Sequence, residues 1–382
     1  MVELPTAVVL AGGVGSRLAP LTRVVPKPLV PFAGSPLIDY IVESLKSSGF
    51  SEVVVTARYL GEQIVEHFRG FNGVRALLID SKDTADAVRL VSGLIKGDFL
   101  VSMGDVVSNI PYNSFYKYHL DHGGIASIVL KEVDNPLPYG LVYVDSNSNI
   151  ILFSEKPASL EIYLVSLAFH SVKSPVFFSN LVNAGIYAFK EELLSILIDN
   201  PGLMDFGRHV FPYLLESGYS IKGWIAPHNT YWIDIGRVEV YVQALWDLLD
   251  DKIPGWRPRG KLVAKGLYMS EDAEINATLY PPVYIGSGVI VGEGSIVGPY
   301  TVLEGNVVVE AGSRVSYSII WHNSRIRRNA YIHSSLLMNN TEINEGVKVL
   351  SSIIGSGCFI ESDVLNKTVQ PCTLVSPYEV EG

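Results

Sequence analysis

A glycine-rich string near the start of the chain is the first segment whose residue types suggest chemistry. It spans residues 10–18 and holds three glycines within four residues, Gly12, Gly13 and Gly15. Glycines let the backbone approach a ligand closely, and successive backbone amides form concave sites that hold anions. The string therefore predicts a loop that binds phosphate groups.

The charges around this loop fit the same prediction. The whole chain is acidic, with a net charge of −10, but it carries no Asp or Glu between Glu3 and Asp39. Arg17, Arg23 and Lys27 all lie in that interval. A guanidinium can donate two parallel hydrogen bonds to a phosphate, and the prolines on either side of Lys27 restrict its backbone. The segment is therefore a local basic site in an acidic protein.

Two common phosphate-binding loops do not fit the string. In a dinucleotide-binding loop the third glycine opens a helix, but here Pro20 follows and interrupts any helix. A P-loop ends in Gly-Lys followed by Ser or Thr, and the chain has no such string. The loop therefore belongs to another class of phosphate site.

Two aspartates next to apolar runs are candidate metal ligands. Asp105 comes shortly after the apolar run 99–103, and Asp234 lies in the aromatic run 231–235. A carboxylate near the end of a strand can give one oxygen to an octahedral Mg²⁺, while phosphate oxygens and water complete the shell. We therefore expect Asp105 and Asp234 to bind Mg²⁺.

Alternating strand and helix patterns in the first 250 residues must position these groups. Apolar runs predict strands at 7–10, 53–56, 76–79 and 99–103, and periodic patterns predict helices at 36–49, 62–68 and 85–94. Strands separated by helices form a mostly parallel, Rossmann-like mixed sheet with flanking helices. Sites in such sheets lie at the carboxyl ends of the strands, where the glycine string and Asp105 both fall.

The pattern changes to a six-residue period in the last third of the chain. Aliphatic residues recur at every sixth position from Ile285 to Val315, with small or β-branched residues four positions after each. This period is the signature of a parallel β-helix, whose stacked coils bury the aliphatic side chains. The predicted division is an α/β domain at 1–250, a linker at 251–275, the β-helix at 276–365 and a C-terminal tail at 366–382.

The string LAGGVGSRLAPLTRVVPKPLVP resembles the N-terminal signature of the sugar-1-phosphate nucleotidylyltransferases. Further segments occur in the order found in that family: Thr84-Ala85-Asp86-Ala87, Gly104-Asp105, Tyr139-Gly140, Glu155-Lys156-Pro157, residues 183–187 and residues 231–236. The hexad repeats match the left-handed β-helix that many members carry. The resemblance spans nearly the whole chain, and the handedness of the coil is expected from it alone.

The resemblance implies a reaction and assigns residues to it. An oxygen of a sugar 1-phosphate attacks the α-phosphorus of a nucleoside triphosphate, and pyrophosphate leaves. The implied catalytic residues are Arg17, Lys27 and Lys156; those at the nucleotide are Leu10, Ala11, Gly12, Gly13, Thr84 and Ala85; those at the sugar are Tyr139, Gly140, Glu155 and Asn183; and those at Mg²⁺ are Asp105 and Asp234.

The identity of the substrates is left open. We expect the sugar substrate to be glucose or mannose 1-phosphate, with glucose favoured. The base of the nucleotide is undecided, because Asp83 stands where the family commonly has glycine beside the nucleotide. One alternative is a noncatalytic regulatory subunit that binds a nucleotide sugar. The other is a bifunctional enzyme with acyltransferase activity in the β-helix, where His322 or His333 would be the base. Residues 158–182 are expected to form a substrate lid or a partner surface.

The composition excludes several other classes of protein. Of the 382 residues, 48% are hydrophobic and 18% charged, so the chain can bury a sizeable core. The acidic charge argues against nucleic acid or a membrane surface as partner, and no apolar run is long enough to span a bilayer. Two cysteines, Cys358 and Cys372, are too few for a disulfide framework and suit a reducing compartment such as the cytoplasm. The exposed side and ends of a β-helix suggest a homo-oligomer.

Overall fold

A computed structural model describes residues 5–136, 138–155 and 180–372 of the chain. The chain folds as two compact units, Met1–Gly13 with Ile41–Trp232, and Val14–Tyr40 with Ile233–Gly382. Residues 14–40 and 233–250 fall inside the predicted α/β domain, but they cluster with the unit that contains the hexad repeats. The basic segment is therefore part of the second unit.

A mixed, mostly parallel sheet lies at the centre of the first unit. The strands of this unit are β1 (Ala7–Ala11), β2 (Val53–Ala57), β3 (Val74–Leu78), β4 (Phe99–Met103), β5 (Val106–Ser108), β6 (Ala126–Glu132), β7 (Gly140–Val144), β8 (Ile150–Glu155), β9 (Leu181–Phe189) and β10 (Ile221–Ile225). The order is β10-β6-β9-β4-β1-β2-β3, and β7 pairs with β8 and β9. Strands β1 to β4 run parallel, as do β6 and β10, whereas β9 is antiparallel to β4 and β6. The predicted sheet is confirmed.

Helices flank this sheet close to the predicted places. They are α1 (Leu37–Ser47), α2 (Gly61–His67), α3 (Thr84–Leu90), α4 (Tyr112–His122), α5 (Glu192–Asp199) and α6 (Phe211–Glu216). Residues 37–40 of α1 still belong to the second unit. The helix predicted at 85–94 ends at Leu90, and a 3₁₀ turn, Ser92–Leu94, follows because Ser92 and Gly93 are poor helix formers. Across the described residues, no helix has both the length and the apolar character needed to cross a membrane.

Three short 3₁₀ turns take the place of a helix in the basic segment. They are Ser16–Leu18, Leu21–Arg23 and Lys27–Leu29. Pro20, Pro26 and Pro28 have no backbone N–H to donate, so the segment cannot continue as one helix. The predicted interruption at Pro20 is confirmed.

A parallel β-helix makes up most of the second unit, as the six-residue period predicts. Before it come β11 (Trp232–Asp234), along which the chain leaves the first unit, and α7 (Val238–Leu249). One sheet of the β-helix contains Lys261–Ala264, Leu267–Met269, Val283–Ile285, Thr301–Leu303, Ser318–Ile320, Leu336–Leu337, Ile353–Ile354 and Thr368–Val369. A second contains Glu274–Ile275, Ile290–Val291, Val308–Val309, Arg325–Ile326, Glu342–Ile343 and Phe359–Ile360. The third contains Thr278–Leu279, Ile296–Val297, Arg314–Ser316, Tyr331–His333, Lys348–Leu350 and Val364–Leu365.

The aliphatic series of the sequence lines the interior of the coil. Its members from Ile285 to Val315 are at most 1% exposed. Leu303 pairs with Ile320, 17 residues later, whereas Ile285 pairs with Leu303, 18 residues later. In this shorter coil the buried series continues at Ile320, five residues after Val315, and not at Trp321, where the six-residue spacing places it. Ile319 lies on the outer side, in register with Val302. Coil strands also occupy part of the predicted linker, from Leu267 onward.

The outer side of the first β-helix sheet is apolar and buried. Tyr284, Val302, Ile319 and Leu336 stand in register on successive coils, and each is at most 3% exposed. Trp321 continues this surface, and its Nε1 donates to the Tyr241 hydroxyl of α7 at 3.1 Å. Helix α7 therefore packs on this side of the coil.

The two cysteines close the last coil. Cys358 and Cys372 form a disulfide with an Sγ–Sγ distance of 2.10 Å, and no cysteine is left free. The sequence places too few cysteines for a disulfide framework, but a single bridge needs only two residues whose Cα atoms come close, here 5.1 Å apart. The coil supplies that closeness by stacking residues that lie one turn apart in sequence.

Candidate active site

The carboxyl ends of β1 and β4 meet beside the predicted phosphate loop in the first unit. Leu10 and Ala11 end β1 and are buried, and the Gly104 N–H donates to the Leu10 carbonyl oxygen at 2.9 Å. A Cβ at position 104 would lie 3.0 Å from that oxygen, so glycine suits this close approach. Asp105 follows directly. The structure thus places Asp105 at the same sheet edge as residues 10–13.

Gly12 and Gly13 leave β1 in different surroundings. A Cβ at Gly12 would lie 3.3 Å from the Cβ of Arg58, whereas a Cβ at Gly13 would meet no described atom within 4 Å. Arg58 follows β2, the parallel neighbour of β1, and pairs with Asp80 at 3.5 Å. The sequence prediction omits Arg58, although a charged residue directly after a strand next to β1 is the signal that points to it.

Gly15 begins the basic segment in the second unit. Its φ is +64°, and a Cβ there would lie 3.0 Å from Thr22 Cγ2 and 3.2 Å from Lys27 Cβ. The Thr22 hydroxyl also donates to the Gly15 carbonyl oxygen at 3.0 Å. Both the left-handed conformation and the close packing favour glycine here. The loop therefore rests on the side chain of Lys27.

Lys27, Asp234 and Arg17 lie in one cluster of the second unit. Lys27 Nζ is 3.2 Å from Asp234 Oδ1, and Lys27 is only 7% exposed. Two residues beyond Asp234, a Cβ at Gly236 would lie 3.5 Å from Nη2 of Arg17, whose side chain is exposed. The Asp234 carboxylate thus fixes the direction of the lysine, and Arg17 lies beside Gly236, so both cations are available to a phosphate.

Residues 204–206 of the first unit hold the start of α3. The Ala85 N–H donates to the Met204 carbonyl oxygen at 2.8 Å. The Thr84 hydroxyl donates to Asp205 Oδ2 at 2.9 Å and accepts from the Phe206 N–H at 3.0 Å. Ala85 is fully buried, so of the two nucleotide contacts predicted on α3 only Thr84 reaches the surface.

Asp83 has a structural task at this helix. Its Oδ1 accepts from the Thr84 N–H at 2.9 Å, which makes Asp83 the N-cap of α3. Burial, and then the neighbouring Asp205 carboxylate, raise the pKa of Asp83. The carboxylate that the sequence places beside the nucleotide is therefore engaged with the backbone of α3.

The residues predicted at the sugar come together in the first unit. The rings of Tyr139 and Trp232 lie 5.2 Å apart, and Trp232 Nε1 donates to the Ala184 carbonyl oxygen at 2.9 Å. The adjacent Asn183 accepts from the Gly185 N–H and donates to the Tyr187 hydroxyl, both at 2.9 Å. These bonds hold the Asn183 amide in one orientation.

The remaining predicted sugar contacts lie on β7 and β8. Gly140 begins β7 and pairs with Glu155, the last residue of β8. Leu141 pairs with Val182, which brings this hairpin beside Asn183. Lys156 and most of the predicted 158–182 connection lie outside the described residues.

The metal prediction rests on the type of donor. Among residues 5–136, 138–155 and 180–372, no three His, Cys, Asp or Glu side chains form a metal-binding group. Mg²⁺ is commonly held by one or two carboxylates and takes its other ligands from substrate phosphates and water. Asp105 and Asp234 each supply the type of oxygen donor that Mg²⁺ prefers, and their binding of an ion remains a prediction.

The two β-helix histidines have neighbours within the coil. His333 Nδ1 lies 2.9 Å from the Ser316 hydroxyl oxygen, and its ring lies 5.5 Å from that of Tyr317. Burial lowers the pKa of His322. A local hydrogen bond and ring packing account for His333, and the acyltransferase alternative remains a prediction.

A glycine loop at the carboxyl edge of a mostly parallel sheet is the arrangement of a nucleotide-handling enzyme. Comparison with known proteins narrows that class. Residues 6–251 match the model of the nucleotidyl transferase family, and residues 279–379 match the model of the GMPPB C-terminal domain. The chain belongs to the nucleotidyl transferase family, among its sugar-1-phosphate nucleotidylyltransferases.

Relatives cover most of the chain. A putative mannose-1-phosphate guanyltransferase of Sulfolobus acidocaldarius is 33% identical over 298 residues, which are 76% of this chain and 73% of that protein. A UTP–glucose-1-phosphate uridylyltransferase of Synechocystis sp. is 29% identical over 84% of each chain. A probable mannose-1-phosphate guanylyltransferase of Oryza sativa subsp. japonica is 29% identical over 85% of this chain and 84% of its own.

Proposed function

We propose that this protein transfers a nucleoside monophosphate from a nucleoside triphosphate to a sugar 1-phosphate in a Mg²⁺-dependent reaction, giving a nucleotide sugar and pyrophosphate. The observation that carries the proposal is the contact of the buried Lys27 with the partly exposed Asp234, close to Arg17 in the same unit. A lysine fixed in this way, next to a glycine loop, suits the alignment of polyanionic substrates.

The residues of the chain act mainly by positioning and by neutralising charge. The amides of the glycine loop and the cations of Arg17 and Lys27 bind the triphosphate, and the two cations offset the charge that builds up on the departing pyrophosphate. Lys156 holds the phosphate of the attacking sugar phosphate. Asp105 and Asp234 would hold Mg²⁺, which would supply further positive charge to the phosphate oxygens.

The sugar lies against the aromatic pair of Tyr139 and Trp232. The Asn183 amide, together with Glu155 and the backbone of Gly140, provides hydrogen-bonding groups for hydroxyls. Because Asn183 is oriented by its own partners, it can discriminate one hydroxyl direction from another.

We infer GTP and mannose 1-phosphate as the substrate pair. This inference is supported by the names of two of the three relatives above and by the match of residues 279–379 to the GMPPB C-terminal domain. UTP and glucose 1-phosphate form the second pair, supported by the Synechocystis relative. We further propose that the protein is a cytoplasmic homo-oligomer.

Pyrophosphate release from a matrix of four nucleoside triphosphates and several sugar 1-phosphates, with Mg²⁺ present, tests the proposal. GTP with mannose 1-phosphate should give the highest kcat/KM. Turnover of another pair would replace the substrate assignment and keep the reaction. Binding of a nucleotide sugar without turnover of any pair would support a regulatory subunit instead.

A further inference from the structure

Glu304 is a fully buried acid that the site described above does not use. It follows the coil strand Thr301–Leu303 in the second unit and is 0% exposed. Its Oε2 accepts from the Gly34 N–H at 3.0 Å, and no described atom partners Oε1. A buried carboxylate with an unpaired oxygen is costly, so this environment favours the neutral acid.

The turn that Glu304 holds is tightly constrained. Ala33 has φ +51° and Gly34 has φ +96°, and successive amides in such a turn form a concave site for an oxygen. A Cβ at Gly34 would overlap the hydroxyl of Tyr284 and would lie 2.7 Å from Arg259 Cβ. The left-handed conformation is unfavourable for Ala33. The turn therefore depends on its neighbours for its shape.

Three further hydrogen bonds from the same unit fix this turn. The Arg259 N–H donates to the Ala33 carbonyl oxygen at 3.0 Å, and Arg259 Nε donates to the Ser35 hydroxyl at 2.9 Å. The Tyr241 hydroxyl of α7 donates to the Pro31 carbonyl oxygen at 2.5 Å. The clamped turn thus receives contacts from the coil, from α7 and from the segment between them.

A short series of backbone hydrogen bonds connects this turn with Lys27. The Val30 N–H donates to the Lys27 carbonyl oxygen at 3.3 Å, and the Leu37 N–H donates to the Val30 carbonyl oxygen at 3.1 Å. The Phe32 N–H donates to the Ser35 carbonyl oxygen at 2.8 Å. A displacement of the turn would therefore be passed to the position of Lys27.

We propose that Glu304 is a positioning residue for nucleotidyl transfer, which holds the Ala33–Gly34 turn and, through it, the segment that carries Arg17 and Lys27. The β-helix then contributes to catalysis by fixing the shape of the catalytic segment. This proposal rests on the proposed function. It assigns Glu304 no contact with a substrate.

The charge state of Glu304 gives the proposal a pH dependence. Burial raises the pKa of Glu304 to about 8, against the opposing effect of the two amides. Arg259 and Asp272 act on the neighbouring Tyr284. Burial raises the pKa of Tyr284 and of Tyr241, so both hydroxyls stay neutral. Because the pKa in the folded state is raised, the stabilisation is complete at low pH and is lost as the pH rises through 8.

The test compares Glu304→Gln, Glu304→Ala and the control Glu293→Gln, which removes an exposed carboxylate from the same β-helix. Turnover of the best substrate pair and hydrogen exchange of residues 31–40 are measured from pH 6 to 9.5. Wild-type kcat should fall about tenfold from pH 7 to pH 9, with little change in KM. At pH 9, one unit above the pKa, only about a tenth of Glu304 is still the neutral acid. Glu304→Gln mimics the neutral acid, so it should restore turnover at pH 9 and remove that step from the profile.

Glu304→Ala should lower kcat at every pH and increase exchange at residues 31–40, while Glu293→Gln should match the wild type in both measurements. A Glu304→Gln profile identical to the wild-type profile would overturn the proposal, as would unchanged exchange in Glu304→Ala. Hydrogen exchange needs no substrate, so it tests the role of Glu304 even if no substrate pair turns over. Failure of the proposed function is then distinguishable from failure of the positioning role of Glu304.

Discussion

The ammonium of Lys27 lies 3.2 Å from a carboxylate oxygen of Asp234, a residue 207 positions further along the chain. The sequence assigns the two residues to different tasks, triphosphate binding and metal binding. Their contact means that the two tasks are coupled, because a change in the charge of either residue alters the field at the other.

Lys27→Met and Asp234→Asn should therefore be strongly non-additive. Each single change should lower kcat by about 100-fold or more, a loss typical of removing one charge-stabilising group. The loss of activity in the double variant should be smaller than the product of the losses in the two single variants. The measurement is a double-mutant cycle in kcat/KM, with Arg23→Met, an exposed cation of the same segment, as control. Additive losses would show that the two side chains act independently.

Gly15→Ala should destabilise the protein, whereas Gly13→Ala should not. Position 15 has φ +64° and its Cβ would press on Thr22 and Lys27, but a Cβ at Gly13 would meet no described atom within 4 Å. We expect Gly15→Ala to lower the free energy of unfolding by about 1–2 kcal/mol and Gly13→Ala by less than about 0.5 kcal/mol. Thermal and urea unfolding of the two variants measure this. Equal destabilisation would mean that the close packing at Gly15 carries no cost.

Removal of Mg²⁺ should abolish turnover, and Asp105→Asn and Asp234→Asn should each raise the Mg²⁺ concentration needed for half-maximal rate. An amide is a weaker ligand than a carboxylate for a hard cation. Initial rates are measured against Mg²⁺ concentration, with Asp121→Asn on the exposed side of α4 as control. If both variants show the Mg²⁺ dependence of the control, neither aspartate is a ligand.

Cys372→Ser should lower the stability of the last coils of the β-helix. The disulfide closes a loop with a sequence separation of 14 residues, and a loop of this size contributes about 3 kcal/mol in the chain-entropy description. Differential scanning calorimetry with and without a reductant measures the change. Reduction should bring the wild type to the melting temperature of the variant. An unchanged melting temperature of the wild type in the presence of reductant would contradict the prediction.

Asp83→Asn should stabilise the protein slightly relative to the wild type, and this gain in the free energy of unfolding should be larger at neutral pH than at pH 4. Burial and the Asp205 carboxylate raise the pKa of Asp83, so the charged form costs stability as the pH rises through the raised value. Asn can still cap α3. We expect a gain of a few tenths of a kcal/mol, because solvent screens this partly exposed pair. Urea unfolding at the two pH values measures it, and a larger gain at pH 4 would contradict the assigned cause.

Local patterns made much of the fold predictable. The apolar run at 7–10 is buried in β1, and the six-residue spacing from Ile285 places each of those side chains inside the coil. These outcomes follow from periodicity, which reports which side of a strand or coil is buried. The six-residue period does not predict the coil that is one residue shorter, in which the buried series continues at Ile320 and not at Trp321.

The candidate site was predictable in its residue types and less so in its contacts. The glycine loop, Arg17, Lys27 and the two aspartates stand out by composition and by position after apolar runs. The contact of Arg58 with Gly12 and the burial of Ala85 do not, because each depends on a segment far away in sequence. The capping of α3 by Asp83 is a local contact with Thr84 that the family resemblance led us to interpret as a feature of the nucleotide pocket. Met204 and Asp205, which hold the start of α3, carry no signal in the sequence.

The sequence alone determined the class of sheet, the coiled repeat and the chemical groups available, because these depend on neighbours a few residues apart. The tertiary structure decided which groups meet. It separated residues 14–40 from the α/β sheet, joined Lys27 to Asp234, paired Cys358 with Cys372 and buried Glu304 against Gly34. Such contacts arise when whole strands, helices and coils bury their apolar surfaces together, and the spacing of residues along the chain contains no record of that packing.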